Sequence, residues 1–153
     1  MKSLQHLSLK PKEGLTLILT VGNPMRRDDG VGPYIASKLS FVPNRTVMEG
    51  GMHPENQLDD ITRLNPSRIL ILDAADFGGS PGELRLIETE SIPETSLSTH
   101  AISLKVIAKI LNDDTGAEIV FIGIQPQNVS FGEGLSPRVR HAADKLIQWL
   151  KKL

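Results

Sequence analysis

Leu15-Thr16-Leu17-Ile18-Leu19-Thr20-Val21, then Gly22-Asn23-Pro24-Met25-Arg26-Arg27-Asp28-Asp29-Gly30-Val31-Gly32, then Pro33-Tyr34-Ile35-Ala36-Ser37-Lys38-Leu39: these residues decide the fold. The first run is apolar enough for a strand buried on both faces. The last reads as a helix running from Gly32 to about Ser40. Between them lies a polar loop at the carboxyl end of a buried strand, the position where open α/β sheets place ligands. The loop carries two adjacent carboxylates, Asp28 and Asp29. Glycines on both sides are expected to let a partner's backbone come close.

Outward from this stretch, strands and helices alternate. Thr46-Val47-Met48-Glu49 reads as a short strand ending at Gly50-Gly51, and Pro54 to about Leu64 as a helix facing inward through Leu58, Ile61 and Leu64. Arg68-Ile69-Leu70-Ile71-Leu72-Asp73 is too continuously apolar to have a wet face. After the turn Ser80-Pro81-Gly82, Glu83-Leu84-Arg85-Leu86-Ile87 alternates like an edge strand. A helix is expected from near Thr99, with Ile102, Val106, Ile107 and Ile110 as its apolar stripe. Ala117 to Ile124 is a third buried strand. Ser136-Pro137 opens a last helix with a capping residue followed by proline, and its face is Val139, Ala142, Ala143, Leu146, Ile147 and Leu150. The pattern predicts a three-layer α/β sandwich around a largely parallel sheet, in a single domain spanning residues 1–153 with residues 1–14 as a flexible lead-in.

Composition narrows the function. Seventeen basic against eighteen acidic side chains give a net charge of −1, and aromatic residues make up 4% of the chain. Neither a basic footprint nor a stacking surface for nucleic acid follows from that. The absence of cysteine excludes disulfides, thiolate metal sites and a cysteine nucleophile. Apolar runs fall well short of the ~20 residues that span a bilayer. The first fourteen residues lack the apolar core of a secretory signal, so the cytoplasm is the expected compartment. No heptad or large apolar stripe stands out, and a monomer is expected.

In a parallel sheet the carboxyl ends of the strands converge on one rim. Asp28 and Asp29 follow the first strand; Asp73 ends the second buried one, with Asp76 three residues on. His100 lies at the expected start of a helix, Gly50-Gly51-Met52-His53 follows another strand, and Gln125-Pro126-Gln127-Asn128 the last. Carboxylate oxygens with an imidazole nitrogen suit a borderline divalent ion such as nickel or zinc, and such a set leaves positions open for water or a ligand. Each residue also has a plainer reading. Asp29 can equally cap the next helix. A histidine near a helix start is more often a satisfied polar residue, and His53 ranks below His100. Arg26-Arg27 reads as local charge balance. Asp73 is harder to explain away, because a charge ending so apolar a strand must reach solvent, a hydrogen-bond network or a ligand. These residues reach a candidate carboxylate–histidine metal site on an α/β rim, and no reaction.

Val21-Gly22-Asn23-Pro24 with Asp28-Asp29-Gly30-Val31-Gly32-Pro33 closely resembles the opening motif of the hydrogenase maturation endopeptidases. Further matches follow in order: Glu49-Gly50-Gly51-Met52-His53-Pro54-Glu55-Asn56, Leu70-Ile71-Leu72-Asp73-Ala74-Ala75-Asp76, Pro81-Gly82-Glu83, Thr99-His100 and Phe121-Ile122-Gly123-Ile124-Gln125-Pro126. The resemblance runs from about residue 16 onward and is nearest the branch serving hydrogenase-3-type complexes. It implies a twisted five-stranded sheet between helices, and an enzyme that trims the C-terminal extension of a nickel–iron hydrogenase large-subunit precursor after nickel insertion. It implies metal contacts at Asp29, Asp73 and His100, with Asp29 and Asp73 as the catalytic carboxylates. Many relatives carry glutamate at the first position; aspartate keeps the charge and shortens the reach. Asp28, Asp76, Gly22, Asn23, Gly50 and Gly51 match the motifs in supporting positions. The nickel then arrives with the substrate. The family is grouped with aspartic peptidases, although no Asp-Thr-Gly or Asp-Ser-Gly of the pepsin kind occurs. Two rival readings are a non-catalytic nickel-sensing or chaperone module using the same ligands, and a peptidyl-tRNA hydrolase-like enzyme. The latter's loop begins Gly-x-Gly-Asn-Pro, whereas this chain has Thr20-Val21-Gly22-Asn23-Pro24 and no Thr-Arg-His-Asn soon after.

Overall fold

The apolar run at residues 15–21 forms the second strand of a five-stranded sheet whose order is β2-β1-β3-β5-β4. The structure, a computed structural model, describes residues 9–39, 46–92 and 102–153. Its strands are β1 (Thr16–Val21), β2 (Thr46–Gly51), β3 (Arg68–Ala74), β4 (Leu84–Ile87) and β5 (Glu118–Ile124). Its α-helices are α1 (Val31–Leu39), α2 (Leu58–Leu64), α3 (Leu104–Thr115) and α4 (Pro137–Lys151). All pairings are parallel except β4 on β5, the edge strand expected from its alternation.

Every residue of β3 is buried, which is why its sequence shows no period of two. On one face Ile18, Leu70, Leu72 and Ile122 pack with Val31, Ile35 and Leu39 of α1 and Val139, Leu146 and Leu150 of α4. On the other, Leu17, Leu19, Ile69, Ile71 and Phe121 pack with Ile61 of α2 and Ile107, Ala108 and Leu111 of α3. The expected face of α4 is buried residue for residue. Among the described residues no helix is long and apolar enough to cross a membrane.

Three local expectations need correcting. The segment from Pro54 to Leu64 splits into a 3-10 turn, Pro54–Gln57, and α2, and Leu64 is exposed at the helix end, where Asn65 turns left-handed at φ 48°. The α1 helix begins one residue earlier than expected, behind a separate 3-10 turn, Arg27–Gly30. And α3 starts at Leu104, not near Thr99: Ser103 is extended and its hydroxyl accepts the Val106 amide, an N-cap. The buried stripe is Leu104, Ile107, Ala108 and Leu111; of the expected one Ile107 is buried, Ile102 lies before the helix against the same core, and Val106 is 47% exposed. Residues 9–14, read as part of the lead-in, are tied to the sheet: the Arg68 guanidinium donates to the Lys10 carbonyl at 2.6 Å and the Ser67 hydroxyl to that of Glu13 at 2.7 Å. Arg68 also meets Glu118 at 2.8 Å, which satisfies an otherwise costly buried cation.

If Ser103 sets the start of α3 by capping, Ser103→Ala lowers stability by about 1 kcal/mol and Ser103→Gly by only a few tenths, measured by urea unfolding.

Candidate active site

Four parallel strands end on one edge, and β1 gives the loop with two carboxylates. The loop turns back on itself at Gly22, whose φ is 146°; a Cβ there would lie 2.0 Å from the Asp29 carbonyl oxygen. The Asn23 amide reaches both the Asp29 carbonyl, at 3.1 Å, and its carboxylate oxygen Oδ2, at 3.0 Å. Gly22 donates to the Gly51 carbonyl at 3.0 Å, joining the exits of β1 and β2. The glycines thus serve contacts within the chain. Gly22 abuts Asp29, Gly30 abuts Pro24 and Gly32 abuts Val21, so the expectation that they make room for a partner's backbone is not met. A Cβ at Gly50 would strike Thr20 and Pro54, while Gly51 faces open space.

The 3-10 turn separates the two neighbouring acids. With about three residues per turn, successive side chains point roughly 120° apart, and Asp28 and Asp29, both 0% exposed, go different ways. Asp28 turns toward the exit of β5. Its Oδ2 accepts the Gln127 and Asn128 amides at 2.9 Å and the Ser136 hydroxyl at 2.7 Å, and its Oδ1 accepts the Ser136 amide at 2.7 Å. Four donors saturate this carboxylate, which makes it a structural clamp between the first loop and the start of α4. The supporting role expected for Asp28 is that clamp. Sequence reasoning missed its partner Ser136, whose visible signal, Ser before Pro, announced only a helix start.

Asp29 faces β3. Asp73, 3% exposed, stands at the end of that strand. Burial, then the nearby Asp29 charge, push the Asp73 carboxyl well above the usual carboxylate range, and the Ala74 amide opposes them only in part. Its Oδ1 is buried and accepts no hydrogen bond. A carboxylate so placed beside a second one is relieved by a proton or by a cation.

The other candidates fall elsewhere. Asp76 is exposed and accepts the Gly78 amide at 3.0 Å and the Gln125 side-chain amide at 3.1 Å; these bonds, in that order, lower its pKa. Gln125, placed on the rim by the sequence and buried in the structure, also accepts the Phe77 and Gly79 amides, and so ties the exits of β3 and β5. His53 is exposed and pairs with Glu55 at 3.2 Å. The Arg26 guanidinium donates to the Val129 carbonyl at 3.2 Å. His100 lies outside the described residues, among which no cluster of three or more metal-ligating side chains occurs.

The sequence profile of a family described as hydrogenase maturation protease matches residues 31–152. The hydrogenase 3 maturation protease of Escherichia coli is 39% identical over 138 residues, covering 88% of each chain. A putative hydrogenase maturation protease of Methanocaldococcus jannaschii is 32% identical over 144 residues, 88% of this chain and 85% of its own. Among solved structures, the nickel–iron hydrogenase maturation protease HycI of Thermococcus kodakarensis superposes with a TM-score of 0.82 at 27% identity, covering 91% of both chains. The endopeptidase HycI of Escherichia coli does so at 0.81 and 38%, covering 90% of both.

The three aspartates respond differently to amide substitution. Asp28→Asn, which puts an amide group against four donors, costs roughly 2–3 kcal/mol. Asp73→Asn raises the Tm of the metal-free protein at neutral pH by about 2–4 °C, equivalent to ~1 kcal/mol at this length. The sign follows from the raised pKa of Asp73: the folded state holds this proton more tightly than the unfolded state. Wild-type stability therefore falls as pH climbs from the unfolded value near 3.8 toward the raised folded one. Thermal unfolding across pH should show that fall diminished in Asp73→Asn.

Proposed function

This chain belongs to the hydrogenase maturation protease family, and we propose that it hydrolyses one peptide bond of a nickel–iron hydrogenase large-subunit precursor, releasing the C-terminal extension once nickel has been inserted. The buried pair Asp29 and Asp73 at the carboxyl rim carries this reading. Nickel comes with the substrate, held by the precursor's own thiolates. Asp29, Asp73 and His100 recognise it and so dock the scissile peptide at the rim. The donor set fits, since carboxylate oxygens and an imidazole nitrogen suit a borderline divalent ion. Oδ1 of Asp73, buried without a hydrogen bond, is an acceptor in want of a cation or a proton. A precursor without nickel offers this pair nothing to hold. That explains why insertion precedes cleavage.

For the hydrolysis itself, a water oxygen bonds to the scissile carbonyl carbon while the carbon–nitrogen bond breaks. One carboxylate of the pair takes the water's proton and returns it to the departing nitrogen. Asp28, saturated by its four donors, keeps the turn in place and takes no part in proton transfer.

Asp29→Ala, Asp73→Ala and His100→Ala are each expected to abolish shortening of nickel-loaded precursor, read by mass spectrometry, with the fold intact by circular dichroism. Nickel-free precursor stays full length with every variant. Full processing by all three variants would sink the metal-recognition reading; wild-type protein that binds loaded precursor without cutting it would point to a sensor instead.

A further inference from the structure

The turn that aims Asp29 at β3 also forms the wall of a second feature. Arg27, two residues before Asp29, lines a cleft with Pro24 and Pro33 of the same loop and helix start, Tyr34 of α1, and Leu135 and Arg140 at the start of α4. The wall is firmly built. Arg27 donates its amide to the Gly132 carbonyl at 2.9 Å, Gly132 donates to the Met25 carbonyl at 2.8 Å, and Arg26 and Gly132 form a parallel bridge.

Arg27 itself sits at φ 46°, a left-handed conformation that costs a residue with a Cβ. Its guanidinium lies where a Cβ on Gly132 would be, 2.8 Å from Cζ, so position 132 leaves room for it. Its Nε is buried and donates no hydrogen bond. Among the described residues neither Arg27 nor Arg140 lies within ion-pair distance of a carboxylate. Asp144, one turn along α4 from Arg140, accepts the Tyr34 hydroxyl at 2.6 Å. Two guanidiniums with no carboxylate of a described residue in ion-pair distance therefore line a cleft with an aromatic ring and two prolines.

We propose that this cleft binds a carboxylate of the precursor polypeptide, gripped by Arg27 and Arg140, and so registers the scissile bond over Asp29 and Asp73. The inference rests on the protease reading above. A planar guanidinium fork matches a carboxylate better than any other side chain does, and the apolar walls accept the adjoining chain. The 3-10 turn is only ~8 Å long, and extended chain advances ~3.3 Å per residue. The carboxylate therefore belongs about two to three residues from the scissile bond. It is either an acidic side chain or the free C-terminus of a short extension.

Calorimetric titration of nickel-loaded precursor into the full-length protein tests the assignment. Arg140→Gln and Arg27→Gln should each weaken binding about tenfold or more, the range for a charge-assisted hydrogen bond. Arg140→Lys should recover part of the loss, and Lys151→Gln, at the far end of α4, should leave binding unchanged. Neutralising the responsible carboxylate on the precursor should weaken wild-type binding at least as much as either variant does, and add nothing to the Arg27→Gln, Arg140→Gln double variant. An effect from Asp→Asn or Glu→Gln identifies a side chain; one from C-terminal amidation identifies the terminus. Unchanged affinity in both arginine variants, with unchanged Tm, overturns the proposal. The readout is binding, so a wild-type protein that fails to cut the precursor would count against the protease reading and leave this test standing.

Discussion

The constraint from which the rest follows is the burial of β3 on both faces. A strand covered by α1 and α4 on one side and α2 and α3 on the other has no solvent-facing side chain along its length. Only its end can do chemistry. Asp73 stands there, and the same covering layers that stabilise the strand deny its carboxyl the water that would favour the charged form. The perturbed carboxyl of Asp73 and the stability of the sheet are two results of one packing arrangement, and they pull in opposite directions at a single residue.

Asp28 and Asp29 show how one short turn divides labour between identical side chains. The tight screw of the 3-10 turn sends one carboxylate into a nest of four donors and the other toward Asp73. Arg27, in the same turn, opens on a separate cleft. Three consecutive charged residues thus face three environments, and none can be shifted in register without misdirecting the other two. Glycines packed against the protein's own backbone hold that register: the close approach of Gly22 to Asp29 and of Gly32 to Val21 leaves no room for a Cβ.

Much of this was legible in the sequence. The buried strands, the antiparallel edge at Leu84–Ile87 and the whole inner face of α4 follow from apolar spacing, because burial on one or two faces imposes a period that residue types record. The carboxyl-edge convergence of Asp29 and Asp73 follows from parallel topology. What the sequence hides is phase and direction. The expected stripe of α3 shares Ile107 with the buried one, but residue type alone does not say which apolar face meets the sheet, and that face is Leu104, Ile107, Ala108 and Leu111. The glycines of the first loop look permissive in a one-dimensional text, yet they are crowded by backbone in three dimensions. Asp28 and Asp29 are chemically indistinguishable as letters; only the turn between them decides which is clamp and which is site. The family resemblance named the reaction that residue spacing alone could not reach.

The clamp at Asp28 has a consequence for when the site can exist. Its partners are 99, 100 and 108 residues away along the chain. The entropy of closing so long a loop must be met before the first loop acquires its final shape. A nascent chain that ends before Gln127 already carries both rim aspartates and β3, but nothing to receive Asp28. The final shape of the first loop is thus fixed only once the chain extends through Ser136.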